Sequence, residues 1–118
     1  MPRATNAPAR RRRRKGVLKA AKGFYGARSR RLRTAADAVD RAMASAYKDR
    51  KRKKREFRRL WITRISAACR QRGLSYSVFM HGLAQAGSAL NRKMLAEIAV
   101  SDPEAFDRLV AIAREGKA

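Results

Sequence analysis

The chain has 118 residues, enough for one small domain with extensions, and a formal net charge of +22 from 31 Lys and Arg against 9 Asp and Glu. Because like charges repel one another in a compact state, this composition argues against a monomer that acts alone and predicts a polyanionic partner. Residues 1–59 carry 23 cations against 4 acids, a net of +19, whereas residues 60–118 carry 8 against 5, a net of +3. The charge pattern predicts a basic arm followed by a nearly neutral module.

The single cysteine, Cys69, excludes an internal disulfide framework and fits a reducing cytosol. No apolar stretch follows Met1, and no run approaches the roughly 18 apolar residues that cross a bilayer. We therefore predict a cytoplasmic protein without a signal peptide and without a membrane partner.

The first elements in chain order belong to the arm. Residues 1–9 show no periodicity and predict an extended tip that is disordered without a partner. Residues 10–15 are six consecutive cations, which we expect to form the first turns of a short helix through Ala21 once phosphates neutralise them. Residues 23–26 place two aromatics between two glycines, which predicts a hinge, and Ser29 is a candidate cap for the helix that follows.

A long helix is predicted from about residue 28 to residue 72, where proline and glycine are absent. Its apolar residues recur at helical spacing from Leu32 to Tyr47 and again from Phe57 to Ala68. Some 45 helical residues would extend about 67 Å, more than a domain of this size can cover, so part of the helix is expected to project. Gly73 is the predicted stop.

Three short helices are predicted for the remainder. Ser75 or Ser77 caps the first, Asn91 caps the second, and Asp102 with the following proline begins the third. We expect one core from Phe79, Leu83, Leu95, Ile98, Phe106, Leu109 and Val110. Since no alternating strand pattern occurs, the predicted fold is all-α: a long projecting basic helical N-terminal arm, residues 1–59, followed by a small helical C-terminal module, residues 60–118.

Residues 48–59 carry the strongest functional signal. Nine of these twelve residues are cations, and on a helix they cover every side, so that like charges at i and i+4 repel one another. RNA phosphates would remove this repulsion and release counterions, and arginine, the more frequent cation here, binds phosphate bidentately and stacks on bases. Phe24 or Tyr25 could stack on an unpaired base or pack on protein, whereas Trp61 is expected in the core.

The sequence does not contain the residue combinations that are typical of catalytic and metal sites. His81 and Cys69, the one histidine and the one cysteine, cannot form a zinc site of ordinary ligand number. The acidic residues are scattered singly, and no phosphate-binding glycine loop occurs. We therefore predict a protein that is not an enzyme, with no metal, no cofactor and no small-molecule substrate.

Five blocks in order carry a resemblance to a known family: VLK at residues 17–19 through KGFYGARS at 22–29, YKDR at 47–50, REFRRLWITRI at 55–65, LSYSVF at 74–79, and LNRKML at 90–95. With them the chain resembles, nearly end to end, the family of the bacterial large-subunit ribosomal protein numbered twenty. The sequence departs from the family pattern at residues 80–85, and at Asp37 and Asp40, where the family's long helix is usually neutral or basic.

The resemblance implies a long helical arm threaded into 23S rRNA, a small helical domain on the rRNA surface, neighbouring large-subunit ribosomal proteins as partners, and a role in early subunit assembly within the ribosome. In some bacteria the family also represses translation of its own messenger through its C-terminal domain. From the charge pattern, the aromatic pair and this resemblance together, we predict RNA contacts at Arg3, Arg10, Arg11, Arg12, Arg13, Arg14, Lys15, Lys19, Lys22, Phe24, Tyr25, Arg28, Arg30, Arg31, Arg33, Lys48, Arg50, Lys51, Arg52, Lys53, Lys54, Arg55, Arg58, Arg59, Arg64, Asn91, Arg92 and Lys93.

Two other functions fit part of the pattern. A DNA-compacting protein of histone type is also basic and helical, but a sequence-neutral DNA binder needs no long arm with an aromatic pair flanked by glycines. A membrane-active cationic helix needs a wide apolar face opposite its charges, and residues 48–59 offer essentially Phe57 alone.

Overall fold

A computed structural model describes residues 3 and 5–116, and every helix, core and contact below lies within them. This part of the chain forms α1 (Ala7–Ala20), a 3₁₀ turn (Gly26–Ser29), α2 (Leu32–Gln71), α3 (Tyr76–Gln85), α4 (Arg92–Ser101) and α5 (Pro103–Glu115), with no strand among the described residues. The predicted all-α fold, with a long basic helix and a small helical module, is confirmed. None of these helices is both long enough and apolar enough to cross a membrane.

The ends of the short helices follow the capping residues in the sequence. The side chains of Ser75, Asn91 and Asp102 accept hydrogen bonds from the backbone N–H three residues later, at 3.4, 2.9 and 2.9 Å. Each bond satisfies a donor that the first turn of a helix leaves free. Gly73 and Gly87 follow α2 and α3 with φ of +69° and +70°, a backbone conformation that glycine adopts without strain. The three predicted starts are confirmed.

Two expectations for the arm are wrong. Residues 7–9 of the predicted extended tip lie in the first turn of α1, where Pro8 suits an N-terminal position; residues 1, 2 and 4 of the tip lie outside the described residues. Ser29 does not cap the long helix, because its hydroxyl donates to the carbonyl of Gly26 at 3.0 Å. The helical spacing of apolar residues to Tyr47 lies within α2 as predicted; neighbouring residues cover this stripe only up to Val39, and Met43 and Tyr47 are 64% and 59% exposed.

The chain divides into two compact units, Met1–Lys51 and Arg52–Ala118. In the first unit the glycine-flanked turn brings the end of α1 against the start of α2. Ala21, Ala35 and Val39 are buried there, and three partly buried residues pack on them: Val17, Leu18 and Phe24. Because this cluster is small, α1 depends on few apolar contacts.

The second unit contains the main core. Its buried residues come from four helices: Ile65, Ala68 and Cys69 of α2, Phe79 and Leu83 of α3, Leu95 and Ala96 of α4, and Phe106, Val110 and Ala113 of α5. Ile98 and Leu109 are partly buried against this core, as is Trp61. The seven predicted core residues and the packing role of Trp61 are confirmed.

Arg72 joins the end of α2 to α5 in this unit. Its guanidinium forms an ion pair with Asp107 and donates to the carbonyls of Ala68 and Pro103 at 3.0 and 3.2 Å. The same group lies 5.0 Å from the ring centroid of Phe106. This set of contacts fixes the position of α5 on the core.

Candidate nucleic-acid interface

The middle of α2 has no protein packed on it among the described residues. Every residue from 40 to 60 is exposed, a stretch of almost six helical turns. Helices in globular proteins owe most of their stability to tertiary packing of one face. A helix without such packing, and with this charge, is arranged for a partner that supplies both contacts and counter-charge.

The charges of residues 48–59 are not neutralised within the described part of the chain. Five pairs of cations lie four residues apart in this segment, and each pair destabilises an isolated helix by some tenths of a kcal/mol. Its two acids, Asp49 and Glu56, take part in no ion pair among the described residues, where Arg72–Asp107 is the one ion pair formed. The segment is therefore a continuous positive surface on all sides of the helix.

Two cations of this segment are held by aromatic neighbours on the same helix. Nζ of Lys51 lies 4.3 Å from the ring centroid of Tyr47 and donates to its hydroxyl at 2.7 Å. Nζ of Lys53 lies 6.0 Å from the ring centroid of Phe57. Contacts of this kind hold a long side chain near one position and leave its charge accessible.

The structure brings part of the predicted α1 surface together with α2. Arg10, Arg13 and Arg14 line a groove of about 320 Å³ with Val17, and the opposite wall is formed by Leu32 and Ala36 of α2. That groove does not include the other predicted cations of residues 10–33, nor Arg3 and Arg64. All of these side chains are exposed. Three arginines along a groove between the two helices suit a phosphate backbone that crosses from one helix to the other.

The two aromatics of the hinge have separate roles. Phe24 is partly buried on the small core of the first unit, whereas Tyr25 is 93% exposed. Gly23 and Gly26 flank them with φ of +87° and +61°, and the N–H of Phe24 donates to the carbonyl of Ala21 at 3.1 Å. The sequence left open which ring would face outward. The packing of Phe24 leaves Tyr25 as the ring available for stacking.

The three predicted contacts of the C-terminal module lie at the start of α4. Asn91 uses its side chain to cap the helix, so its amide oxygen is engaged with the N–H of Met94. Arg92 is partly buried, and its Nε donates to the hydroxyl of Tyr76 at 2.8 Å. Lys93 is exposed. Arg92 and Lys93 thus offer two cations at one helix N-terminus.

Catalytic and metal-binding groups are not gathered in the described residues, which contain no cluster of three or more His, Cys, Asp or Glu. Cys69 is buried in the main core, and burial raises the pKa of its thiol to about 11, an effect that the nearby Arg72 partly offsets. Such a thiol is a small core residue rather than a nucleophile. His81 is exposed and lies 12 positions away from Cys69 in the chain.

Two residues of the arm that were not among the predicted contacts line a groove with Tyr25. Asp37 and Arg41 line one groove with Tyr25 and Arg28. The spacing of Asp37 and Arg41, four residues apart, puts them on one side of α2, but nothing in the sequence indicates that this side faces the hinge. That relationship depends on the turn between α1 and α2.

Comparisons with known proteins agree with the resemblance. A family model described as "Ribosomal protein L20" matches residues 3–109. Proteins named "Large ribosomal subunit protein bL20" are similar over nearly the full chain. That of Desulfotalea psychrophila is 56% identical over 118 residues, 100% of both chains. That of Methylacidiphilum infernorum is 56% identical over 116 residues, 98% of this chain and 97% of the relative. That of Akkermansia muciniphila is 59% identical over 115 residues, 98% and 91% of the two chains.

Proposed function

Because the chain belongs to the ribosomal protein L20 family, it is a protein of the large ribosomal subunit, and we propose that it binds 23S rRNA directly and supports early assembly of that subunit. Its place is then within the ribosome, in the cytoplasm, beside neighbouring large-subunit proteins. In this role it performs no catalysis, and its contribution is to hold rRNA segments in position.

The observation that carries this proposal is the exposed, unneutralised segment of residues 48–59. It lies within the exposed residues 40–60 of α2, and its acids form no ion pair in the described part of the chain. A polyanion that contacts several sides of the helix would replace the repulsion between these cations by their attraction to phosphates, and it would release counterions. RNA helices that pack around an arm can present phosphates on several sides, which a flat membrane surface cannot.

We assign the contacts to two regions. The exposed cations of residues 3–64 would contact phosphates and set overall affinity, because phosphate contacts position a protein without reading sequence. Asn91, Arg92 and Lys93 would dock the C-terminal module on a defined rRNA site. This assignment of an arm, residues 1–59, and a module, residues 60–118, remains our prediction.

The first experiment separates RNA binding from the DNA-compacting alternative. The full chain is incubated with labelled 23S rRNA and challenged with duplex DNA at equal phosphate concentration, over a range of salt. We expect 23S rRNA to be retained at salt concentrations that release DNA. Equal competition by the two polyanions would favour the DNA-compacting function and contradict the proposal.

Assembly needs its own measurement. Large subunits are reconstituted from 23S rRNA and purified proteins with and without this chain, and the particles are separated by sedimentation. Omission should leave slower particles that lack late-binding proteins, and addition of the chain at the start should restore the full particle more completely than addition at the end. Restoration that is independent of the time of addition would exclude an early role.

Repression of its own messenger is a second activity that we propose for the C-terminal module. Its support is the exposed Lys93 beside Arg92 in the first turn of α4, because the N-terminus of a helix attracts anions such as phosphate. The chain is added to a translation reaction programmed with its own messenger, leader included. Wild type should reduce synthesis, and a variant with Arg92→Ala and Lys93→Ala should reduce it less. Equal synthesis with and without wild type would exclude the activity.

A further inference from the structure

A groove of about 550 Å³ lies beside the hinge, entirely within the first unit. One wall is formed by Tyr25 and Arg28 at the hinge, and the other by Thr34, Asp37 and Arg41 of α2. Its volume is within the range of about 300–1,000 Å³ that small-molecule sites occupy. The groove combines an exposed ring, two guanidinium groups and a carboxylate, a set of groups that matches the parts of a nucleotide.

The backbone that presents Tyr25 is held in place by its neighbours, although the ring of Tyr25 is exposed. The turn before it is closed by the hydrogen bond from Phe24 to Ala21, and Phe24 itself packs on the small core. The tyrosine is therefore presented by an anchored segment, so stacking costs little additional ordering. Aromatic side chains presented in this way are a common means of binding unpaired RNA bases.

Asp37 is the unexpected group in the groove. It is exposed, in a chain of net charge +22, and takes part in no hydrogen bond or ion pair among the described residues. Arg33 and Arg41 lie four residues before and after it on the same helix. A carboxylate that faced a phosphate would repel it, so its presence on an RNA-binding surface favours contact with hydrogen-bond donors instead. Bases are the part of RNA that supplies such donors.

We propose that this groove binds a single unpaired guanine nucleotide of RNA, with the base stacked on Tyr25, its N1–H and N2–H donated to Asp37, and the adjoining phosphates on Arg28 and Arg41. Guanine is the base whose Watson–Crick edge carries two adjacent donors, which a carboxylate accepts together. Adenine, cytosine and uracil each place an acceptor next to their donor, and that acceptor would face the carboxylate. The inference rests on the proposed RNA-binding function and adds a base preference to it.

The test uses the four nucleoside 5′-monophosphates as probes, titrated separately into the ¹⁵N-labelled full chain and followed by NMR. All four carry the same phosphate, so attraction to the many surface cations is common to them, and differences report on the base. GMP should bind more tightly than AMP, CMP and UMP by about fivefold or more. The backbone signals that shift should be those of residues 24–28 and 34–45.

Two variants assign the roles within the groove. Asp37→Asn replaces one acceptor by a donor and should remove the preference for GMP, with little effect on UMP. Tyr25→Ala removes the stacking surface and should weaken all four nucleotides by about fivefold or more. Since both side chains are exposed, neither change should disturb folding. The matched controls are Asp49→Asn and Tyr47→Ala, which alter exposed residues of α2 outside the groove and should leave the four affinities unchanged.

Equal affinity for the four nucleotides, shifts spread over the cations of the whole arm, or a GMP preference that survives Asp37→Asn would each overturn the proposal. Binding of the same samples to 23S rRNA is measured in parallel. If the chain binds 23S rRNA but shows no preference for GMP, only the proposal for the groove is refuted. If it neither binds 23S rRNA nor prefers GMP, the proposed function is refuted as well. Capture of an acidic or basic peptide in the groove, with no nucleotide preference, would also count against it.

Discussion

The hydroxyl of Tyr76 accepts a hydrogen bond from Nε of Arg92 at 2.8 Å, across a separation of 16 residues. Tyr76 is the first residue of α3 and Arg92 the first residue of α4, and both side chains are partly buried. The bond occupies one donor of the guanidinium and leaves its two terminal amino groups for a partner. Arg92 is thus oriented by a contact within the module.

For the RNA contact that we propose for Arg92, this bond makes Tyr76 a positioning residue. Tyr76→Phe keeps the ring and removes the hydroxyl that accepts the hydrogen bond, so the side chain of Arg92 should lose its fixed orientation. The free energy of unfolding should fall by about 1 kcal/mol, the contribution of one hydrogen bond. We expect the preference for the cognate 23S rRNA fragment over random RNA to fall by about fivefold, in competition binding. Tyr47→Phe, which removes the hydroxyl that Lys51 contacts on the arm, should change both affinities alike. If Arg92→Ala abolishes the preference and Tyr76→Phe leaves it intact, the bond does not position Arg92.

Phe106 is the central residue of the main core. Its ring is fully buried, 5.1 Å from the ring centroid of Phe79, with the guanidinium of Arg72 on it at 5.0 Å. Phe106→Ala should lower the free energy of unfolding by about 3–5 kcal/mol, a large part of the roughly 5–15 kcal/mol typical of whole proteins. Urea unfolding followed by Trp61 fluorescence measures this. Ile112→Ala, at a site 42% exposed, is the control and should cost about 1 kcal/mol or less. A similar small loss for Phe106→Ala would contradict the packing described.

Gly82 permits the close contact between α3 and α5. A Cβ added at this position would overlap the carbonyl oxygen of Ala113, which belongs to the backbone and cannot rotate away. Gly82→Ala should therefore force the helices apart and destabilise the module by about 1–3 kcal/mol or more. Gly16→Ala is the matched helical control, because nothing lies within 4 Å of its added Cβ, and it should increase the helicity of α1. Thermal unfolding of the two variants is followed by circular dichroism. An increase in the melting temperature on Gly82→Ala would refute the close contact between α3 and α5.

Stability should depend on pH through Cys69. Burial raises the pKa of its thiol to about 11 in the folded state, against 9.0 for the unperturbed group. The folded chain therefore holds this proton more tightly than the unfolded chain does, and the contribution is complete below pH 9 and decreases as the pH rises toward 11. Between these values wild type should lose more stability than Cys69→Ala, measured as urea midpoints of both proteins at each pH. Parallel pH profiles for the two proteins would show that the thiol is accessible in the folded state.

Local signals in the sequence predicted most of the fold. The starts of α3, α4 and α5 depend on residues within one turn, Ser75, Asn91 and Asp102, whose side chains bond the nearby backbone. The core of the module followed from helical spacing in the same way. The spacing also continued through Met43 and Tyr47, where no neighbouring helix covers the stripe in the described structure. Periodicity identifies a face of a helix, and it does not identify what that face meets.

The candidate interface was predictable in its charge and not in its geometry. Exposure of the cations follows from the cost of burying them, so a basic surface could be predicted from the sequence. The assembly of Tyr25, Asp37 and Arg41 around one groove requires the path of the chain through the hinge. The bond between Tyr76 and Arg92 likewise requires the packing of α3 beside α4. Such relationships between distant residues are set by tertiary structure, which residue spacing alone does not encode.

The central claim, that the exposed cations of α2 meet rRNA phosphates, is tested most directly by the salt dependence of binding to 23S rRNA. The variant carries Lys51→Gln, Arg52→Gln, Lys53→Gln, Lys54→Gln and Arg55→Gln, which removes five charges and keeps helix-forming residues. Its control carries Arg70→Gln and Arg108→Gln, two exposed cations of the second unit outside the predicted contacts. Since each lost phosphate contact changes the slope of log K against log salt by about 0.7–0.9, the variant should have a slope shallower by several units, and the control should match wild type. A slope within one unit of wild type for the five-residue variant would contradict the account.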